Sequence, residues 1–166
     1  FFVLAAGLAL RRRGLPPAHL LVVAKVLNSR DPRAYSRDEL AGLSDDEVID
    51  RLTAHTGIPG ADALSPAQRQ DLAGSFRYDT QVAGQLYSRA LADPHGHTLG
   101  CPVTVVLAAD DPVTRGHEQH AGNWGLFATA LHVTAADSGG HHLNTTRPEF
   151  LAECAREAMR DARRTP

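Results

Sequence analysis

Two stretches, "AHLLVVAKV" at residues 18–26 and "CPVTVVLAADDP" at 101–112, restrict the fold more than any other feature of this chain. Each is a short, nearly continuous run of β-branched and leucine residues, without the strict alternation of a strand that keeps one face in water. Strands of that kind are buried on both sides, which happens where helices cover both faces of a parallel sheet. A third stretch, "ALHVTAA" at 130–136, alternates and then runs apolar, and it also reads as a buried strand.

The segments between these runs carry helical signals. "FFVLAAGLAL" and the arginines that follow it read as a buried helix, broken by "LPP" at 15–17. After a polar stretch from Asn28 to Asp38 come "SRDEL" and "LSDDEVIDRLTAHTG", in which Ser44 and Glu47 have capping-box spacing ahead of Val48, Ile49 and Leu52. A further helix begins at "SPAQRQDLAG", with Gly74 as a candidate break, and continues through "SFRYDTQVAGQLYSRAL". Residues 36–92 are therefore read as a helical insertion. Another helix is expected from Thr114 to about Trp124. The last begins at Pro148 and sets Leu151, Ala155, Ala158 and Ala162 on one face. The order of helix, strand, helical insert, strand, helix, strand, helix is that of an α/β fold with a parallel sheet, in one domain over residues 1–166.

Charge and cysteine content exclude several functions. A net charge of −2 with scattered basic residues supplies no field for nucleic acid, and no nucleic-acid partner is expected. Cys101 and Cys154 have neither metal-site spacing nor the density of a disulfide scaffold, so a reducing, cytoplasmic setting is expected. The apolar start is about half of the ~20 residues that a membrane span needs, and no membrane association is expected. Because the sequence opens inside an apolar helix without a Met, it is expected to be a fragment lacking the amino-terminal part of its domain.

Chemistry concentrates at two strand ends. Asp110 and Asp111 follow one predicted strand, while Gly139, Gly140, His141 and His142 follow the next. In a parallel sheet both pairs emerge at one edge on neighbouring loops, where reactive groups are usually displayed. A carboxylate beside an imidazole can fix its tautomer and stabilise its cation. The glycine pair allows a tight turn that aims one imidazole. The plainer reading is a helix-capping aspartate and solvated loop histidines, and spacing alone does not separate the two. His95 with His97, and His117 with His120, have spacings that can share a metal when a third ligand converges; they are read as surface residues, with no metal or other cofactor expected. Asp45, Asp46 and Glu47 suit a helix amino terminus, and Arg77 and Asp79 are a candidate pair or a partner-facing patch.

The order of these motifs resembles the carboxyl-terminal two-thirds of the type II thioesterases, α/β-hydrolases that serve nonribosomal peptide and polyketide synthases. "LRRRGLPPAHLLV" resembles the helix and strand after the family's nucleophile elbow. "LSDDEVIDRLTAHTGIP" and "FRYDTQVAGQLYS" resemble its helical lid. "CPVTVVLAADDPVT" resembles the strand and loop of the triad acid, Trp124 stands at the family's tryptophan, and "SGGHHLNTTRPEFLA" resembles its Gly-Gly-His loop and last helix. The resemblance implies a partial α/β-hydrolase fold with Asp111 as triad acid and His141 as base, Asp110 and His142 being the alternates. It implies a substrate acyl group on the phosphopantetheine arm of an acyl or peptidyl carrier protein, and a lid whose Val48, Ile49, Leu52, Leu72, Phe76 and Leu86 either line an acyl channel or form ordinary core. The family's nucleophile is the serine of a Gly-x-Ser-x-Gly elbow. This sequence contains no such motif, so the chain by itself is expected to be inactive. Two other functions remain open: a small-molecule esterase of the same fold, or a non-catalytic carrier-binding module.

Overall fold

Three parallel strands, β1 (Leu20–Val23), β2 (Val103–Ala108) and β3 (Leu131–Ala136), form a sheet in the order β1-β2-β3. The computed structural model describes residues 2–35, 38–56 and 61–162. Phe1, Ser36 and Arg37 at the start of the expected insertion, and Gly57, Ile58 and Pro59 of the "TGIP" stretch lie outside them. Val22 pairs with Val105, and Val105 with Val133. The central strand β2 is buried at every position, as its composition requires.

Alternation along β2 divides the core. Val103, Val105 and Leu107 face a cluster that holds Leu4 and Leu8 of α1 (Phe2–Arg12) together with Tyr87, Ala90, Trp124 and Phe127. Val106 and Ala108 face the other way, onto Ala136 of β3 and onto Leu143 and Cys154 of the carboxyl-terminal helices α4 (Leu143–Thr146) and α5 (Pro148–Ala162). The face of α5 that was legible as Leu151, Ala155, Ala158 and Ala162 is the one that turns inward. Helix α1 ends in a Schellman turn: Leu15 N–H donates to Leu10 O and Gly14 N–H to Arg11 O, with Gly14 at φ +73.

Helix α2 (Asp45–Thr56) begins with the expected capping box, Ser44 N–H donating to Glu47 Oε2 at 2.7 Å and Glu47 N–H to Ser44 Oγ at 3.3 Å. Helix α3 (Pro66–Ala92) has a second such box between Ser65 and Gln68. Its 27 residues run without a break, against the expectation at Gly74. A β-carbon at Gly74 would meet nothing within 4 Å, so the residue faces outward and costs only its propensity, about 1 kcal/mol. Packing on both sides outweighs that. The first half of α3 joins Ala73, Leu72 and Phe76 to Val48, Ile49 and Leu43, while the second half inserts Tyr87, Ala90 and Leu91 into the main core.

Two further expectations are corrected. The segment from Thr114 is not an α-helix but turns followed by a 3-10 helix, Glu118–Leu126. Gly116 adopts φ +77, a left-handed conformation that ends the single turn capped by Asp111, whose side chain accepts the Val113 N–H. Strand β3 is an exposed edge rather than a buried strand, with Val133 51% exposed. Its apolar residues reflect strand propensity more than burial.

Candidate active site

Asp111 and His141 meet at the carboxyl edge of the sheet. Asp111 stands three residues beyond β2, and its side chain is fully buried. Oδ1 accepts the Val113 N–H at 2.9 Å, and Oδ2 accepts the Thr114 hydroxyl at 2.8 Å. His141 Nδ1 lies 3.2 Å from the same Oδ2. The contact places the proton on Nδ1, donating to the carboxylate, and leaves Nε2 as the basic nitrogen of a ring whose side chain is 23% exposed. A buried carboxylate held by two further donors is a fixed post for the imidazole.

Asp110 does a different job. It is exposed, and its Oδ1 accepts the Gly140 N–H at 2.8 Å. The Gly140 and Gly139 backbone N–H groups hold its carboxyl below the usual carboxylate range. Adjacent carboxylates thus grip adjacent parts of one loop, Asp110 the backbone and Asp111 the ring. Both glycines are needed in that turn: Gly139 has φ +136, where a β-carbon would fall 2.7 Å from Leu143 Cδ2, and Gly140 has φ +63. His142 is exposed at the start of α4, its ring 5.5 Å from that of His141 in an edge-on arrangement.

The segment after β1 leaves the same carboxyl edge of the sheet. Ala24 N–H donates to Val106 O, and Ala24 takes φ +52, a conformation rarely adopted by a residue with a β-carbon. Trp124 Nε1 donates to Lys25 O at 3.0 Å, and Asn123, which accepts from Arg30 Nε at 2.8 Å, donates to Leu27 O. Trp124 and Asn123 thereby clamp residues 25–30 onto the 3-10 helix. Crowding by protein lowers the Lys25 ammonium from its usual range although part of its surface is open. Sequence reasoning missed Thr114 and Asn123. The Asp-Pro-x-Thr spacing was a usable signal for the first, since an aspartate often binds the residues just after it; nothing in the sequence marked the second.

The remaining candidates lie elsewhere. Arg77 pairs with Asp45 at 2.6 Å rather than with Asp79, and Arg69 pairs with Asp46, so the acidic start of α2 is tied to α3. Val48, Ile49, Leu72 and Phe76 pack together as core between α2 and α3, and Leu86 packs on the main core. His117 and His120 have ring centroids 5.8 Å apart, and His97 Nδ1 lies 2.8 Å from Asp93 O. Among the described residues no three His, Cys, Asp or Glu side chains converge as a metal site, and no helix is long and apolar enough to cross a membrane.

A parallel sheet with helices on both faces, and an acid and a histidine on consecutive strand ends, defines part of an α/β-hydrolase fold. Among solved structures the chain is similar to RedJ, a thioesterase from the prodiginine biosynthetic pathway in Streptomyces coelicolor. The match has 27% identity and a TM-score of 0.64, over 90% of this chain and 56% of that one. It also shares its fold with YbtT, the type II thioesterase of a yersiniabactin NRPS/PKS biosynthetic pathway, at 18% identity and a TM-score of 0.54, over 90% of this chain and 57% of that one. A thermophilic esterase from Thermogutta terrifontis matches at 13% identity and a TM-score of 0.53, over 96% and 61%. The chain therefore spans somewhat more than half the length of these proteins. No protein-family model and no curated protein matches it in sequence.

Proposed function

We propose that the whole protein is a serine-type thioesterase that removes acyl groups from the phosphopantetheine arms of carrier proteins in nonribosomal peptide or polyketide synthesis, with His141 as base and Asp111 as its orienting acid. One observation carries the reading: the imidazole and the fully buried carboxylate stand 3.2 Å apart at consecutive strand ends. The likeness to RedJ supports the choice of thioesterase among the hydrolases of this fold. The serine is supplied by sequence outside this chain, which has no Gly-x-Ser-x-Gly and is inactive alone.

In that protein the serine hydroxyl attacks the thioester carbonyl while Nε2 of His141 takes its proton. The tetrahedral adduct then breaks its carbon–sulfur bond, and His141 returns the proton to the leaving thiolate. Water, deprotonated by the same nitrogen, next cleaves the acyl-serine, and the proton passes back to the serine oxygen. Asp111 remains ionised throughout and stabilises the transient imidazolium. Residues 36–92 act as the lid over the acyl channel, within the single domain over 1–166. The buried, unpaired Cys101 and Cys154 suit a reducing, cytoplasmic setting.

The test is thioester hydrolysis by the complete protein. His141→Ala should lower turnover by roughly 10⁴-fold, as loss of triad function does, and His142→Ala by less than tenfold. Equal losses would overturn the assignment of the base. Hydrolysis of a free oxyester as fast as that of a carrier-bound thioester would instead identify a small-molecule esterase.

A further inference from the structure

A pocket of about 330 Å³ opens at the other end of the molecule, lined by Leu8, Arg11, Arg12, Gly96 and His97. Arg11 and Arg12 close α1 ahead of β1, and His97 lies in the loop ahead of β2. These residues therefore gather where the strands begin, whereas Asp111 and His141 follow the strands' ends. The pocket is separate from the candidate active site.

Its donors are arranged but not used up. Arg11 Nη1 donates to Thr98 O, which seats the guanidinium, and its Nε passes over Gly100, where a β-carbon would come within 3.6 Å. Arg12 makes no hydrogen bond or ion pair among the described residues, and no carboxylate there pairs with Arg11. His97 turns Nδ1 onto Asp93 O at 2.8 Å, so Nε2 faces away from that contact. Asp93 stands beside the pocket, where its Oδ1 accepts the Gly96 N–H at 3.0 Å and its Oδ2 lies 4.0 Å from His97 Nδ1. Asp93 thus closes its own turn and leaves both guanidinium groups uncompensated. Leu8 adds an apolar wall.

We infer that this pocket binds a phosphate dianion, free or as the monoester of a small organic body. Two guanidinium groups present forked N–H donors that match phosphate oxygens, His97 Nε2 can add a third polar contact, and Leu8 can cover the carbon adjoining an ester oxygen. Helix-end arginines also complement the helix dipole; that role alone would leave them without a shared, saturable ligand.

The experiment is a titration of the complete protein by two-dimensional NMR at constant ionic strength, first with inorganic phosphate and then with glycerol 3-phosphate, following the Arg Nε–H and His ring signals. Saturable shifts at Arg11, Arg12 and His97 are expected, with affinity falling about tenfold in Arg12→Gln. Arg12 has no partner to lose, so that variant should fold normally. Arg13→Gln, one residue outside the pocket, should bind as the parent does. Tighter binding of glycerol 3-phosphate would assign the site to an ester, and tighter binding of phosphate to the free ion. Non-saturating shifts, or equal weakening by Arg12→Gln and Arg13→Gln, would show only diffuse charge attraction and overturn the site.

Discussion

Substituting alanine at Gly139 and at Gly140 should have very unequal effects, although the two are neighbours and both have positive φ. At Gly139, φ +136 lies outside the left-handed helical region, so an alanine is held there only at about 1–3 kcal/mol of backbone strain. Its β-carbon would also fall 2.7 Å from Leu143 Cδ2, 2.8 Å from Arg147 Cγ and 3.1 Å from Thr146 Oγ1. Leu143 is completely buried and cannot swing away without disturbing the α5 side of the core, which adds about 1–3 kcal/mol of overpacking. The sum, about 2–6 kcal/mol, reaches the whole stability of a marginal domain. At Gly140, φ is +63 and a β-carbon meets nothing within 4 Å, so the cost is the left-handed penalty alone, about 1–2 kcal/mol. Urea denaturation of the two variants measures the difference, and the ring signals of His141 show whether the loop still presents it to Asp111. A Gly140→Ala variant as damaging as Gly139→Ala would refute the argument that Gly139 is fixed by its contacts.

Two other outcomes follow from single side chains. Crowding disfavours the charged form of Lys25 in the folded protein, so the unfolded chain binds that proton more readily, and stability rises with pH between the lowered folded value and about 10.5. Lys25→Met should therefore be more stable than the parent at pH 7, and the gap should close as pH approaches 10.5; a gap independent of pH in urea denaturation would show that the charge is not its cause. Ile49 is 1% exposed between α2 and α3, so Ile49→Ala should cost about 2–5 kcal/mol and speed hydrogen exchange in α2 and the first half of α3; unchanged exchange there would mean that this cluster does not hold the two helices together.

What was legible in the sequence was whatever composition alone enforces. The nearly continuous apolar run of β2 admits one environment, and the box at Ser44 fixes a helix start through contacts three residues long. Strand β3 misled because "LHVTAA" has the residues of a strand on either face, and only its place at the sheet's edge decides which of them meet water. The stretch after Thr114 misled because the turn that Asp111 caps is cut short by the left-handed Gly116, a conformation that its neighbours in sequence do not announce. At the candidate site, spacing brought two acids and two histidines to one edge. It could not choose within either pair, because neighbours in a loop point apart: Asp110 turns to Gly140 and Asp111 to His141. That choice rests on side-chain direction, which no count of residues contains.

The sheet's pairing also sets an order of assembly. Val103 meets Leu131 across fewer than 30 residues, but it meets Leu20 across about 80. Closing the longer loop costs about 1 kcal/mol more chain entropy than closing the shorter, so chain entropy favours β2 and β3 zipping first and β1 docking onto a ladder already formed. Helices α2 and α3 lie inside the long loop, and their local contacts shorten its effective span as they fold. The Asp111–His141 pair belongs wholly to the early half, so the hydrogen bond at the candidate site can form before the sheet is complete.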